Sequence, residues 1–356
     1  MVLVIKKLLS LLTAAALFLQ TAPCANAGMP ADISAESAVV MHEGGRVIYG
    51  KNPDKRMLIA STTKLMTAIL AIENCSLSDN VEIKPEYCTA EGSSMYLEQG
   101  DVYTAVELLK GLLLVSGNDA AVALACHTSG TEEDFVKLMN EKARELGMEN
   151  SHFENPHGLD SPHHYSTAED LAILMAYCMK NPAFASLTSL ESTVIGEQTL
   201  INHNRLLKLC AGCEGGKTGY TDSAGRCLVS CCMRNGTRFI CVTLNAPDDW
   251  NDHIKLYNWA FSNYSWRNVT ENITFTVPVI SGTEKEAVIG AEKVGLLLEK
   301  DDVLSLRAEL PWFEFAPVRS GGRAGEADIF LNGEKIAGAG LFYRDSIPVS
   351  DEYKVD

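Results

Sequence analysis

Ser61 and Lys64 stand three residues apart in Ser61-Thr62-Thr63-Lys64, and the pair has the parts of an acyl-transfer nucleophile. A serine hydroxyl attacks a carbonyl only when a base takes its proton, and an amine at i+3 on a helix is within reach of it. That amine must be neutral to serve. The residues that follow, including Leu65, Met66, Ile69, Leu70 and Ile72, are nearly all apolar, so the helix is expected to be buried and the charged form of Lys64 disfavoured. A second cation nearby would push the same way, and Lys217 of Lys217-Thr218-Gly219 is the candidate. The N–H groups at a helix start lack intrahelical partners, so that of Ser61 can face a developing oxyanion. The N–H after the second motif, that of Tyr220, would be the other donor.

A third motif, Ser116-Gly117-Asn118, breaks an apolar helical run, and a polar break of that kind must find hydrogen-bond partners. Facing a cleft beside Ser61 would supply them. Ser78-Asp79-Asn80 is a similar triplet, but a helix running from Ser61 to about Glu73 puts it roughly 18 Å away, at the far end. By composition a lone S-x-x-K arises about once in a chain of this length. The weight therefore rests on the combination: each of the Ser61 and Lys217 motifs occurs once, one at a buried helix start and the other before a strand hairpin.

The elements that must hold these residues can be read from periodicity. Ala38 to Met41 and Arg46 to Tyr49 flank Glu43-Gly44-Gly45 as a hairpin. Thr104 with Glu107 forms a capping box ahead of an apolar helix, Thr131 with Asp134 starts an amphipathic one that Gly147 ends, and Thr167 with Asp170 starts another. Strands return at Arg226 to Met233 and Arg238 to Leu244, joined through Asn235-Gly236, before a helix from about Asp249 to Tyr264. Sheet signals on both sides of a helical block imply an α/β lobe split by an inserted all-helical lobe, with a site in the cleft between them. From about Val269 short strands alternate with turns, including a hairpin around Asn332-Gly333, and imply a separate small all-β domain.

The chain of 356 residues has 46% hydrophobic and 21% charged residues, which excludes disorder and collagen-like repetition. Its net charge of −16 is wrong for a nucleic-acid binder or a polybasic membrane binder. Lys6 and Lys7, an apolar run from Leu8 to about Leu19 and Ala25-Asn26-Ala27 form the three-part pattern of a secretory leader cleaved after Ala27, the alternative being a retained anchor. Of eleven cysteines all but Cys24 follow that leader. Cys210 and Cys213 read as a short-loop disulfide, a redox pair or half a zinc site with no second C-x-x-C to complete it, against the plainer reading of buried or locally bridged thiols. Cys231 and Cys232, adjacent in a strand, face opposite sides. His163 and His164 are read as structural, since no H-E-x-x-H occurs, and His157 as a loop-fixing residue.

The S-x-x-K, S-x-N and K-T-G set is that of the penicillin-binding proteins and serine β-lactamases. With Gly92-Ser93-Ser94-Met95-Tyr96-Leu97, His157-Gly158-Leu159-Asp160 and Lys217-Thr218-Gly219-Tyr220-Thr221-Asp222, the chain resembles the low-molecular-mass penicillin-binding proteins that are serine-type D-alanyl-D-alanine carboxypeptidases. The likeness spans nearly all of the chain after the leader. It implies the α/β transpeptidase fold, an antiparallel sheet lobe with an inserted helical lobe over 28–266, then a β-rich domain over 267–350 and a tail, 351–356. It implies that Ser61 attacks the penultimate D-Ala carbonyl of a peptidoglycan stem peptide to give an acyl-enzyme, with Lys64 as proton acceptor. Ser116 and Asn118 would relay protons and hold the peptide amide. Lys217 and Thr218 would bind the terminal carboxylate, with Gly219 and Tyr220 completing the substrate-binding strand. No metal or organic cofactor is implied, β-lactams would trap the same serine, and the location would be outside the cytoplasmic membrane of a bacterium. The short acidic end of the chain is unlike the amphipathic membrane helix of many such proteins. A D,D-endopeptidase is the nearest rival. A β-lactamase would need an added deacylating glutamate, and a sensor would need signalling spans.

Overall fold

The computed structural model describes residues 15–19, 30 and 32–353. Two compact units are present, Met29–Ser262 and a second one containing Asn263–Asp356.

The first unit is built on a five-stranded antiparallel sheet in the order Val47–Lys51, Ser37–His42, Thr237–Leu244, Gly225–Arg234, Cys213–Thr221. The two hairpins expected from the sequence are both there, the second joined at Asn235-Gly236. The order leaves Cys213–Thr221, the strand with Lys217, at one edge. Alternation decides what each face meets. Cys227, Val229 and Cys231 point into one large core with Met41, Ile240 and Val242, whereas Ser230 and Thr243 point the other way, to His253.

Between Val47–Lys51 and Cys213–Thr221 lies the helical block: α1 (Lys64–Asn74), α2 (Ala105–Leu114), α3 (Asn118–Ser129), α4 (Glu132–Glu145), α5 (Ala168–Cys178), α6 (Pro182–Thr188) and the short α7 (Leu206–Leu209). Helix α8 (Asp249–Asn263) follows the last strand of the sheet. The capping signals behave as expected: Thr104 and Glu107 form a complete capping box, and Thr131 and Thr167 accept from the N–H groups of Asp134 and Asp170. Helix α1 is buried from Lys64 through Ala71. Its apolar cylinder is wrapped by α2, α3, α4, α5 and α6, and burying eight consecutive positions explains why this helix carries almost no polar residue. Ser61 lies outside α1, in a 3₁₀ turn over Ala60–Thr63.

The second unit is a β structure. Its principal sheet runs Leu304–Glu309, Arg323–Leu331, Glu334–Tyr343, Glu286–Ala291, Thr274–Ile280, Glu314–Phe315. It closes on its own core of Val277, Ile289, Leu306, Ile329 and Leu341. Of the span read as a leader, Ala15–Leu19 forms a strand antiparallel to Leu304–Ala308, and the rest of 1–27 lies outside the described residues. Among the described residues no helix is long and apolar enough to cross a membrane.

Candidate active site

The site grows from the 3₁₀ turn. Ala60 has φ +46, a conformation that costs an L-residue with a Cβ about 1–2 kcal/mol, and surrounding bonds hold it there. The backbone N–H of Glu154 donates to His164 Nδ1 (3.1 Å), which leaves Nε2 as the protonated nitrogen. Nε2 is 2.7 Å from Thr63 Oγ1, and Thr63 Oγ1 donates to the carbonyl of Ala60 (2.9 Å). Burial pushes the His164 imidazole down to about 4, so this chain stays neutral and its direction fixed. The residue before Ser61 is thereby tied to a histidine about a hundred positions later.

Lys64, completely buried, brings its Nζ to 2.9 Å from Ser61 Oγ, 2.6 Å from Asn118 Oδ1 and 2.6 Å from the carbonyl oxygen of His157. The chemistry of these three partners is unequal. A backbone carbonyl and an amide oxygen can only accept, and the Asn118 amide cannot be turned round because its Nδ2 donates to the Glu91 carbonyl. A neutral Lys64 therefore spends its two N–H groups on Asn118 and His157 and turns its lone pair to the one partner that can donate, the Ser61 hydroxyl. Burial first, and then the charge of Lys217, push the amine well below the ordinary lysine range, with Asp119 opposing.

Each of those acceptors is itself fixed. Asn155 Oδ1 accepts from the N–H groups of His157 (3.3 Å) and Gly158 (2.6 Å), and its Nδ2 donates to the Leu159 carbonyl (3.0 Å). Asp160, at the end of the same loop, accepts from Thr221 Oγ1 (2.8 Å) and so ties the loop to the edge strand. Gly158 has φ +90, and a Cβ there would sit 2.0 Å from the Ala60 carbonyl oxygen. Gly158→Ala is expected to lower stability by about 2–5 kcal/mol through left-handed strain and overpacking, measured by urea unfolding, and to lower the rate of Ser61 acylation in the fraction that folds.

The break between α2 and α3 brings in Ser116, at φ +64 and buried, and Asn118, the first residue of α3. Asp119 holds the opposite wall: its carboxylate accepts from Ser94 Oγ (2.5 Å) and from the N–H groups of Met95 (3.0 Å) and Leu97 (3.1 Å). That accounts for Gly92 to Leu97 as a motif, since the loop's shape depends on a buried carboxylate. Ser78-Asp79-Asn80 lies beyond the far end of α1, where Asp79 accepts from the Ser76 N–H.

On the sheet side, Lys217 is buried, donates to the Thr218 carbonyl (2.8 Å), and is pushed down to about 7 by burial. Gly219 lets the strand approach the 3₁₀ turn: a Cβ there would meet the Ser61 nitrogen at 2.9 Å. The side chain of Tyr220 is exposed and donates to Asp222 (3.0 Å), so its share in the site is its backbone. Ser61, Ser93, Ser116, Thr218, Gly219 and Tyr220 line one cleft of about 310 Å³ with His203, Arg226, Asp249 and Trp250.

The residues missed from the sequence are of two kinds. Asp119, His164 and the His157 carbonyl act on other protein groups. Arg226 lines the cleft itself, directly opposite Tyr220 in the hairpin register. Asp249 receives its Nε (3.0 Å) and Nη2 (2.8 Å), and Trp250 stacks 5.6 Å from it, leaving Nη1 without a partner among the described residues.

Comparison with known proteins gives the same reading. A family model described as D-alanyl-D-alanine carboxypeptidase matches residues 24–248. The chain is 34% identical over 358 residues to the D-alanyl-D-alanine carboxypeptidase DacF of Bacillus subtilis, covering 93% of this chain and 92% of that one. It is 32% identical to DacC of Escherichia coli, also a D-alanyl-D-alanine carboxypeptidase, over 88% of this chain and 84% of that one. The solved structure of penicillin binding protein 5 from Haemophilus influenzae superposes with a TM-score of 0.70 at 29% identity, covering 90% of this chain and 99% of that one. With a cleft-lining serine hydrogen-bonded to a buried lysine and its sequence matched almost end to end, the chain belongs to the D-alanyl-D-alanine carboxypeptidase family and is a serine-type hydrolase of that activity.

Proposed function

We propose that Ser61 is the nucleophile and Lys64 its general base in removing the terminal D-Ala of peptidoglycan stem pentapeptides. The observation that carries this is the coordination of Lys64 Nζ, with two obligate acceptors and one hydroxyl around a buried amine. Ser61 Oγ adds to the carbonyl carbon of the penultimate D-Ala while its proton passes to Nζ. The carbonyl oxygen takes the negative charge and is met by the backbone N–H groups of Ser61 and Tyr220. Ser116 relays the proton from Lys64 to the departing amine, the C–N bond breaks, and D-Ala leaves. Asn118 holds the peptide amide. Water, activated by the again neutral Lys64, then adds to the ester and frees Ser61. A β-lactam ring opens by the same first step and stays on Ser61.

The substrate lies along the edge strand, where, among the described residues, Lys217–Tyr220 has no neighbouring strand in the sheet on that side. Lys217 and Thr218 meet the terminal carboxylate, and so does Arg226. A lysine pushed down to about 7 is only partly charged at neutral pH, whereas a guanidinium keeps its charge. Arg226→Gln is expected to raise KM for a peptide with a free terminal carboxylate by about 10–100-fold, the worth of one charge-assisted hydrogen bond, with kcat nearly unchanged. A kcat loss at constant KM would remove Arg226 from this role.

We assign 1–27 as an export leader, 28–266 as the catalytic domain, 267–350 as a β-rich spacer or interaction domain and 351–356 as a tail. The enzyme works outside the cytoplasmic membrane on the bacterial wall, in peptidoglycan biosynthesis and cell shape. The decisive experiment is D-Ala release from a peptide ending in Lys-D-Ala-D-Ala, with and without prior penicillin. Release that penicillin abolishes supports the reading, and cleavage of cross-links without release of free D-Ala overturns it in favour of an endopeptidase.

A further inference from the structure

Away from the cleft, three thiols meet where the edge strand begins. Cys210 ends the turn after α7, Cys213 opens the strand, and Cys232 lies directly opposite Cys213 in the antiparallel ladder. The sulfurs of Cys210 and Cys232 are 3.6 Å apart, while Cys213, paired with Cys232 across the ladder, points its sulfur to the Gly215 carbonyl at 3.8 Å. Cys232 is thus the shared neighbour of the other two.

The surroundings favour thiolate on those two and oppose it on the third. Arg234 donates from Nη2 to Cys210 Sγ (3.4 Å) while Ala211 and Asn258 hold the guanidinium from its other sides. Asn204 is buried, and its Nδ2 has no hydrogen-bond partner among the described residues. The bond to Cys232 and the charge of Arg234 hold the Cys210 thiol down, to about 6, against burial. The bond with Cys210 and the nearness of Cys213, together with burial, raise the Cys232 thiol. Access differs as well: Cys210 and Cys232 are buried, whereas Cys213 is partly open beside the exposed Ala211 and Gly212. A reactive thiolate needs both ionisation and access, and of these three Cys213 combines a thiol held below its ordinary range with partial exposure.

We propose that Cys210, Cys213 and Cys232 form a thiol–disulfide exchange site in which Cys232 bridges to either of the other two, a disulfide compound being the oxidant. The Cys213 thiolate attacks one sulfur of the incoming disulfide, forming a mixed disulfide and expelling one thiolate. Cys232 gives its proton to Cys210 and attacks the Cys213 sulfur, expelling the second thiolate. Two protein thiols become one disulfide, and the oxidant is reduced to two thiols. Cys210 passes that proton to an expelled thiolate and, as a thiolate again, can attack Cys232, moving the bridge and freeing Cys213 as the leaving thiolate. Either bridge ties the beginning of the Lys217 strand to its neighbourhood without touching the catalytic groups.

The test uses the intact protein, fully reduced and then exposed to glutathione disulfide at neutral pH, denatured and alkylated. The expected result is loss of two alkylatable thiols, with Cys232 linked to Cys210 or Cys213, at least about tenfold faster than glutathione adds to the exposed Cys88. Cys232→Ser should retain a glutathione adduct on Cys213 and form no bridge, and Cys210→Ser should still form the 213–232 bridge. Penicillin labelling at Ser61 reports that each variant is folded. Full alkylation of all three cysteines in the unmutated protein after prolonged exposure, or a bridge that forms without Cys232, overturns the proposal.

Discussion

Ser61→Ala is expected to release D-Ala at no more than about 10⁻⁴ of the parent rate and to gain no mass on exposure to penicillin. The side chain of Ser61 has Lys64 Nζ as its hydrogen-bond partner, at 2.9 Å, and is only half-buried, so its removal leaves no large void and takes no other bond with it. The amine keeps Asn118 and His157. Stability should therefore stay within about 0.5 kcal/mol of the parent while chemistry collapses. Intact-mass spectrometry after penicillin treatment and a urea titration measure the two halves separately. A penicilloyl adduct on the Ser61→Ala variant would move the nucleophile elsewhere, and a large loss of stability would make the inactivity uninformative.

Lys64→Arg is expected to lower acylation by about 10²–10⁴-fold. A guanidinium keeps its proton at any pH the protein survives, so it supplies a charge where the reaction needs an acceptor. The same logic sets the pH profile. In the free enzyme kcat/KM should rise with pH as Lys64 loses its proton, and this limb lies well below 10.5 because burial and the Lys217 charge both favour the neutral amine. On the proposed role of Lys217 in meeting the substrate carboxylate, it should fall again as Lys217 loses its charge, near its value of about 7. The profile is a bell, and the check is Lys217→Arg, which keeps its charge and should remove the alkaline limb. A falling limb unchanged in that variant would assign it to another group.

How much of this was legible depends on what kind of atom carries the function. The contact of Lys64 with Ser61 could be read from residue type and spacing, because side chains make it and three positions of helical backbone set the reach, and Asn118 meets the same amine. The caps at Thr104, Thr131 and Thr167 were legible for the same reason: each is satisfied within three residues. The expected helix start at Ser61 is a 3₁₀ turn instead, with α1 beginning at Lys64, because the Ala60 conformation is imposed from outside through Thr63 and His164. No local propensity encodes that. The His157 ring fixes its loop by accepting from the Leu159 N–H, as its sequence setting implies, but its contribution to Lys64 is a backbone carbonyl, and any residue supplies one. Asp119 was passed over inside the Ser116-Gly117-Asn118 neighbourhood although it holds the facing loop. Arg226 could have been found: once the hairpin is drawn at Thr221–Gly225, counting across the ladder puts it opposite Tyr220.

The buried lysine pair also ties the fold to the proton concentration of its surroundings. In the open chain both amines bind a proton below about 10.5. In the folded chain Lys217 does so only below about 7, and Lys64 only well below the ordinary lysine range. Between those limits the unfolded chain holds more protons, so each step down in pH favours it, and stability from these two groups rises again as pH is raised toward 10.5. The arrangement that leaves Lys64 neutral beside Ser61 thus makes the fall in pH from about 10.5 toward neutrality destabilising at this buried pair. A substrate carboxylate arriving beside Lys217 would offset part of that penalty, so an enzyme occupied by its substrate would lose less stability over that range than an empty one.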